Sequence, residues 1–109
     1  MIRKTQDKPT FLTMSLEKAT KEEMDHMAEV KSLPCGVCND FPPSLAHHIK
    51  EGDRRVSHFA TIPLCFDCHQ GPNGIHGDKA FWRIYKKSEL SVLAETNQKL
   101  RQIWKSRKQ

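Results

Sequence analysis

The sequence of 109 residues is short of apolar residues and has no long apolar run. Hydrophobic residues make up 37% of the chain and aromatic residues 7%. Residues 1–13 lack the apolar segment of a secretory signal peptide, and no later stretch is apolar for the length of a membrane-spanning helix. No segment repeats at the period of a solenoid protein. We therefore expect a cytoplasmic protein with no membrane partner, and the sequence excludes a solenoid.

The length is that of one domain, and the shortage of apolar residues predicts that this domain needs a cross-link. A unit spanning residues 35–87 buries little apolar surface to offset its conformational entropy. Small domains of this kind usually contain disulfides or a metal ion. The chain has four cysteines, which form two C-x-x-C pairs. In a reducing cytoplasm such pairs are more often metal sites than disulfides.

Positive charge is concentrated near the C-terminal end of the sequence. The net charge is +5 and the isoelectric point is about 9.2. Residues 99–109 contain no acid and five basic residues, which are Lys99, Arg101, Lys105, Arg107 and Lys108. Because Lys and Arg displace counterions from phosphates, this distribution favours a polyanionic partner. A solvated surface that serves solubility alone is the alternative.

Capping signals divide the chain into four segments. A capping box that begins at Thr20 starts a short helix, which Pro34 ends, and Ser88 caps a helix near the other end. The predicted segments are a basic flexible arm (1–19), a short helix (20–32), a zinc-knuckle core (33–87) and a basic C-terminal helix (88–109). The fold class is therefore α+β, a small zinc-stapled core with flanking N-terminal and C-terminal helices.

Apolar spacing predicts which helix faces are buried. In the first helix we expect Met24 and Met27 in the core and His26 on the surface. A further helix is expected with Asp78 as its N-cap. Its predicted buried residues are Ala80, Phe81, Ile84 and Tyr85, and those of the C-terminal helix are Leu90, Leu93, Ala94, Leu100, Ile103 and Trp104.

Between the cysteine pairs the sequence predicts two strands joined by a hairpin loop. The strands cover residues 45–49 and 56–64, and the loop over residues 50–55 carries three cations. Because neighbouring residues on a strand face opposite sides, His47 and His48 should have different roles, one on a metal and the other towards a substrate.

The two C-x-x-C pairs are a strong indication of one tetrahedral zinc ion. Its expected ligands are Cys35, Cys38, Cys65 and Cys68. Disulfides or two unrelated redox motifs are the alternative. Structural zinc contributes on the order of 10 kcal/mol to folding, which matches the whole net stability of an ordinary domain.

Four histidines lie in the same region, at positions 47, 48, 69 and 76. Since the thiolates already complete the zinc site, three imidazoles remain to bind a second divalent cation. The fourth, neutral near pH 7, can act as a general base. A base and a cation together suit phosphodiester hydrolysis, which needs an activated water and compensation of negative charge. A structural or surface role for all four histidines is the alternative.

These motifs resemble HNH endonucleases, which have a ββα-metal fold, and especially the subset with two zinc knuckles. The resemblance rests on the paired histidines, on IPLCFDCH at residues 62–69 and on His76. More narrowly, the chain is similar to the phage Ref (recombination-enhancement) proteins, which are RecA-dependent DNA nucleases. That similarity covers residues 33–100 and lies in LPCGVC (33–38), AHHI (46–49), SHFATIPLC (57–65) and NGIHGDK (73–79).

The resemblance implies an HNH endonuclease that hydrolyses DNA phosphodiester bonds during recombination. It would be encoded by a phage or prophage and would act in the bacterial cytoplasm beside a RecA filament. His48 is then the general base, and the catalytic metal, Mg²⁺, Mn²⁺ or else Zn²⁺, is held by His47, His69 and His76. The four cysteines hold the structural zinc.

Two positions depart from the family pattern. Ala60 stands where the family has the Asn that braces the base, and the residues that could replace it are Ser57, His58 and Thr61. An insertion separates His69 from His76, so Asn73 is an alternative metal ligand there.

DNA contacts are expected from Arg54 and Arg55 in the hairpin loop and from the basic residues between 99 and 108. Contacts of this kind position a duplex without reading its sequence, so binding should be non-specific and salt-dependent. Ala60 favours a rival hypothesis, a catalytically idle DNA-binding adaptor or regulator with the same zinc fold. A protein-binding zinc ribbon is a third.

Overall fold

The computed structural model describes residues 17–107, so residues 1–16 of the predicted basic arm and Lys108 lie outside the described residues. The described chain mixes helix and strand, with four helices and two sheets of two strands each. The helices are α1 (Lys21–Lys31), α2 (Phe66–Gln70), α3 (Phe81–Tyr85) and α4 (Glu89–Arg107). The strands are β1 (Leu45–His48), β2 (Lys50–Glu51), β3 (Arg54–Arg55) and β4 (Thr61–Leu64).

Helix α1 begins and ends where the sequence predicts. The hydroxyl of Thr20 accepts a hydrogen bond from the amide of Glu23 at 3.2 Å, and the Glu23 carboxylate accepts one from the Thr20 amide at 2.8 Å. This capping box satisfies two amides that the first turn leaves without helical partners. The helix ends at Lys31, and its C-cap Ser32 lies two residues before Pro34.

Two predictions about the faces of α1 are wrong. Met24 is 54% exposed instead of buried, because the helix packs on the rest of the protein through Val30 and Leu33 at its C-terminal end. His26 is half-buried instead of exposed, and its ring lies edge-on to that of Phe59 with centroids 5.2 Å apart.

The central sheet is an antiparallel pair of β1 and β4, and β4 is buried along its whole length. The predicted second strand over residues 56–64 is too long, because residues 58–60 form a turn. In that turn the amide of Ala60 donates to the carbonyl of Ser57 at 3.1 Å. The predicted hairpin loop is confirmed as the two-stranded ribbon of β2 and β3, with Gly52 in the left-handed conformation at its tip (φ 66°).

Two short helices follow β4. The sequence motifs did not indicate α2, in which the sulfur of Cys65 accepts a hydrogen bond from the amide of Cys68 at 3.4 Å. Helix α3 begins at Phe81, so Asp78 is not its N-cap. The Asp78 carboxylate instead accepts from the amide of Ala80 at 2.9 Å in the preceding turn.

The predicted buried faces of α3 and α4 are only partly correct. In α3, Phe81 is buried, but Ile84 and Tyr85 are exposed. In α4 the buried residues are Val92, Thr96 and Leu100, whereas Leu90 is 70% exposed. The buried face of α4 can include Thr96 because its hydroxyl donates to the carbonyl of Val92 at 2.7 Å. This hydrogen bond offsets the cost of burying the hydroxyl.

The main core lies between the central sheet and α4. It joins apolar side chains, among them Ile62, Leu64, Phe81 and Val92, to three of the four cysteines. The cysteines therefore take core positions that a larger protein fills with apolar residues. Among the helices of residues 17–107, none is both long enough and apolar enough to cross a bilayer.

Candidate functional site

The two C-x-x-C segments meet at one point beside the core. The sulfurs of Cys35, Cys38, Cys65 and Cys68 all lie within 4.8 Å of one another. The sulfurs of Cys38 and Cys65 are 3.6 Å apart. All four cysteines are free of disulfides. Four cysteine sulfurs that converge from two C-x-x-C segments are the ligands found in structural zinc sites.

The electrostatics of the four thiols fit a divalent cation. Burial raises the pKa of Cys68 above its usual range, and burial raises that of Cys38 to about 11. Burial also opposes ionisation of Cys35, but hydrogen bonds from the backbone amides of Cys38, Cys65 and Val37 outweigh it and lower the pKa of Cys35 to about 7. Of these three thiols, that of Cys35 ionises most readily. A bound zinc ion would stabilise the remaining thiolates, which metal binding requires.

Gly36 holds the first cysteine pair against the core. Its amide donates to the carbonyl of Pro63 in β4 at 2.8 Å. A Cβ at this position would lie 2.6 Å from a methyl group of Val92, so no larger residue fits between the knuckle and α4. The amide of Cys35 also donates to the carbonyl of Asp40 at 3.0 Å, which closes the loop.

A second cluster is formed by three histidines from β1, α2 and the loop after α2. One nitrogen from each of His47, His69 and His76 lies within 4.8 Å of the others. The ring centroids are 5.1 Å apart for His47 and His69, 5.7 Å for His47 and His76, and 5.0 Å for His69 and His76. The insertion between His69 and His76 thus does not separate the two rings.

Gly74 makes the approach of His76 to His69 possible. A Cβ at Gly74 would lie 2.6 Å from the carbonyl oxygens of both Asp67 and Cys68, so only glycine lets the loop fold back on α2. The next amide, that of Ile75, then donates to the carbonyl of Cys68 at 2.9 Å. This contact places His76 beside the C-terminal end of α2.

The state of the three rings fits a metal site. Burial lowers the pKa of both His47 and His69, which favours the neutral imidazole that binds cations. Within residues 17–107, Nδ1 of His69 is buried and has no hydrogen-bond partner. A buried polar atom of this kind is costly unless a ligand satisfies it. The arrangement can therefore hold a cation on nitrogen donors.

Glu89 is a contributor that the sequence analysis missed. Its Oε2 lies 2.7 Å from Nε2 of His47. Because a carboxylate only accepts, Nε2 of the neutral ring carries the proton, and Nδ1 keeps the lone pair for a cation. A carboxylate behind a metal-binding histidine is the usual way to orient such a ring. The only local signal was an acid in the first turn of α4.

His48 faces away from the three clustered histidines, as alternation along β1 predicts. Its Nε2 lies 3.0 Å from Nδ1 of His58, and Nε2 of His58 lies 2.7 Å from the carbonyl oxygen of Glu17. Burial, with Arg55 second, lowers the pKa of His48 to about 4. The ring is therefore neutral at pH 7 and able to accept a proton.

The structure distinguishes the three residues that could replace the missing Asn. His58 contacts His48 directly. The hydroxyl of Ser57 accepts from the amide of Phe59 at 3.0 Å, and that of buried Thr61 donates to the carbonyl of His58 at 3.5 Å. Ser57 and Thr61 thus shape the turn, and His58 makes the contact.

The predicted DNA-contacting residues do not form one continuous stripe. Arg54 and Arg55 lie in β3, one strand away from His48. On α4, Arg101 and Lys105 are one turn apart on one face, and Lys99 lies on nearly the opposite side. Arg107 forms an ion pair with Glu29 at 3.1 Å.

The face of α4 that carries Arg101 and Lys105 has no acidic neighbour in the shallow groove along it. The other residues that line this groove are Ala94, Asn97, Gln98 and Gln102. On the other side, Lys99 shares its surface with Glu95. Among residues 17–107, Arg101 and Lys105 are therefore the basic residues of α4 that share a groove with no acidic side chain.

The chain has no significant match among protein-family models, curated proteins or solved structures. The functional conclusion therefore rests on the geometry of the two clusters and of the histidine pair.

Proposed function

We propose that this chain is a metal-dependent DNA endonuclease of HNH type, with β1, β4 and the segment from α2 to His76 as its ββα-metal core. The observation that carries the proposal is the separation of the two ligand clusters. Four sulfurs form one group and three imidazoles form another, with no residue shared between them. A purely structural zinc module requires only the first group.

The histidine cluster is suited to a catalytic cation. Three protein nitrogens would leave coordination positions for a phosphate oxygen and water, whereas a structural zinc site is closed by four protein ligands. Imidazole donors fit Zn²⁺ or another transition ion better than Mg²⁺, with Mn²⁺ also acceptable. When bound, the cation would offset the charge that develops on the phosphate. His69 and His76 would hold it together with His47, which Glu89 orients.

His48 would accept the proton of the attacking water. His48 follows the proposed ligand His47 on β1, so one strand would position both the base and the cation. Its low pKa means that the ring is unprotonated over the physiological range. A general base of this kind contributes about 10²- to 10⁴-fold to a hydrolysis rate.

Two basic surfaces would position DNA. Arg55 is close enough to His48 to lower its pKa. Arg101 lies twelve residues along α4 from Glu89, which is about 18 Å at 1.5 Å per residue. That distance corresponds to about five nucleotides of one strand at 3.4 Å each. The proposal assigns non-specific phosphate contacts to both surfaces.

The experiment that tests the proposal is plasmid nicking by the zinc-loaded chain with added Mn²⁺, Mg²⁺ or Zn²⁺. Each reaction is run with and without a RecA filament, because the resemblance to Ref proteins makes that filament the expected partner in a phage-infected cell. The comparison is between wild type and His48→Ala. We expect cleavage to be lost in the variant and DNA affinity to stay the same.

Ala60 supports a second candidate, a DNA-binding adaptor without catalysis. Its place in the turn leaves no amide side chain to brace the base, and Ala60 contributes backbone hydrogen bonds alone. Its carbonyl accepts from the amide of Ile49 at 3.0 Å, and its amide donates to the carbonyl of Ser57 at 3.1 Å. If wild type and His48→Ala bind DNA equally and neither cleaves it under any of these conditions, the adaptor is correct and the nuclease proposal is wrong.

A further inference from the structure

Three hydrogen-bonding groups form a chain that starts at the backbone and ends at His48. The carbonyl oxygen of Glu17, just before α1, lies 2.7 Å from Nε2 of His58. The other nitrogen of that ring, Nδ1, lies 3.0 Å from Nε2 of His48. The two rings are nearly perpendicular, with an interplanar angle of 77° and centroids 5.2 Å apart. This is hydrogen-bond geometry between ring edges and not stacking.

The first link of the chain decides the direction of the second. A carbonyl oxygen can only accept, so Nε2 of His58 must carry a proton and donate it. In a neutral imidazole the other nitrogen is then an acceptor. Nδ1 of His58 therefore accepts, and the proton in the bond to His48 belongs to Nε2 of His48. The neutral His48 ring is left with its lone pair on Nδ1.

His58 is held in place by its surroundings, and its side chain is only 7% exposed. Its backbone carbonyl accepts from the hydroxyl of Thr61, the residue opposite His48 in the central sheet. The turn that carries His58 is thus tied to the strand that faces His48.

We propose that His58 is a positioning residue that fixes His48 in the tautomer with its proton on Nε2, so that Nδ1 of His48 is the atom that accepts a proton. This inference rests on the proposed function for its catalytic meaning, but the tautomer itself is a property of the free chain. It gives the role of the missing Asn to a histidine at a different position.

The proton step is simple in this arrangement. An O–H bond of water breaks, an N–H bond forms at Nδ1 of His48, and the hydroxide that remains forms a bond to phosphorus while the bond from phosphorus to the leaving oxygen breaks. The departing alkoxide takes a proton from solvent water. His48 becomes an imidazolium that still donates through Nε2 to His58. No proton between His48, His58 and Glu17 has to move, because these two hydrogen bonds keep the same direction before and after the step.

Two substitutions of His58 test its two hydrogen bonds separately, the one to His48 and the one to Glu17. In His58→Asn the side-chain oxygen lies as many bonds from the backbone as Nδ1 does, so it can accept from His48 while the bond to Glu17 is lost. In His58→Gln the amide nitrogen corresponds to Nε2, so the bond to Glu17 can persist while the acceptor for His48 is lost. The two variants are matched controls for each other.

The test is a long-range ¹H–¹⁵N correlation spectrum of the full chain, labelled with ¹⁵N and loaded with zinc. We expect Nε2 of His48 to be protonated and Nδ1 unprotonated in wild type and in His58→Asn. In His58→Gln we expect a mixture of tautomers or the reverse one. In the nicking assay kcat should fall by at least about tenfold more in His58→Gln than in His58→Asn.

Several results would overturn the inference. They are a proton on Nδ1 of neutral His48 in wild type, a doubly protonated His58 at pH 7, or a tautomer that is the same in His58→Gln as in wild type. The wild-type spectrum decides the tautomer even if one variant does not fold. A wild type that shows the expected tautomer but cleaves no DNA would sink the nuclease proposal and leave the tautomer assignment standing.

Discussion

Nε2 of His47 on strand β1 lies 2.7 Å from Oε2 of Glu89 in the first turn of α4. This contact joins residues 42 positions apart and connects the histidine cluster to the longest helix of the described chain. Because burial keeps His47 neutral, the contact is a hydrogen bond from an imidazole to a carboxylate. It fixes which nitrogen of His47 carries the proton.

Removing the carboxylate should weaken the histidine site and leave the zinc site intact. We expect Glu89→Ala to lower the affinity of the histidine site for Zn²⁺ by about 10- to 100-fold, because the ring loses the partner that orients it. Glu89→Gln keeps an acceptor for His47 and should have a smaller effect. Isothermal titration calorimetry on protein with one zinc already bound measures both.

The matched control for Glu89 is Glu95→Ala on the same helix. Glu95 is exposed and pairs with Lys87 at 3.2 Å, away from the histidines. Glu95→Ala should leave the metal affinity of the histidine site unchanged. Equal losses in Glu89→Ala and Glu95→Ala would mean that the effect is one of overall charge and not of the contact with His47.

Gly74→Ala should displace His76 without replacing the side chain of any proposed ligand. The new methyl group would lie 2.6 Å from two carbonyl oxygens of α2, so the loop that follows must move. We expect the second metal site to lose at least about tenfold in affinity, comparable to the loss of an orienting contact. Competition with a chromophoric chelator gives the affinity.

Gly52→Ala is the control for Gly74→Ala. Gly52 has φ of 66° and no atom within 4 Å of the added methyl group. The substitution should lower stability by about 1 kcal/mol through backbone strain and leave metal affinity unchanged. If both alanine variants bind the second metal as wild type does, Gly74 has no part in positioning His76.

Cys38→Ser should unfold the region around the central sheet. Cys38 is the exposed member of the cysteine cluster, so the change costs little packing, and its effect reports on the metal. The loss of on the order of 10 kcal/mol of zinc binding is as large as the whole net stability of an ordinary domain. Near-UV circular dichroism and bound zinc should be lost together, and a strong chelator should do the same to wild type. An unchanged thermal melt in protein without zinc would refute a structural zinc site.

Binding to DNA should depend on salt through one face of α4. The double variant Arg101→Ala, Lys105→Ala should lower the slope of log affinity against log salt by about 2, since each residue releases about one counterion. Fluorescence anisotropy at several salt concentrations measures this slope.

The control removes the same charge from the other side of α4. Lys99→Ala with Arg107→Ala should change the slope less, because Glu95 and Glu29 already lie beside these cations. A flat salt dependence in wild type would exclude phosphate contacts. Equal effects of the two double variants would mean that the whole helix, and not the Arg101 face, contacts DNA.

Features set by residues close in sequence could be predicted well. The capping box at Thr20, the hairpin ribbon at Gly52 and the two cysteine pairs each depend on a few neighbouring residues. The buried faces of the helices were harder, because they depend on which elements meet. Val30 and Leu100 lie in the same buried cluster although 70 residues separate them, and no local period shows which helices meet.

The candidate site also has some features that depend on neighbouring residues and others that depend on contacts between distant segments. The types of ligand and their grouping followed from the motifs, since cysteine and histidine have few common roles at such spacing. Glu89 and the partner of His58 could not be found, because both contacts form only when distant segments pack. Glu89 resembles any acid at the start of a helix, and Glu17 contributes only its carbonyl oxygen, which no side-chain pattern reveals.

The most direct test of two separate metal sites is a titration of metal-free protein with Co²⁺, followed by absorption spectroscopy. We expect two equivalents to bind, with thiolate-to-cobalt charge-transfer bands that grow with the first and not with the second. A variant with alanine at positions 47, 69 and 76 should keep the first site and lose the second. A single equivalent whose spectrum shows sulfur and nitrogen donors on one ion would contradict the account.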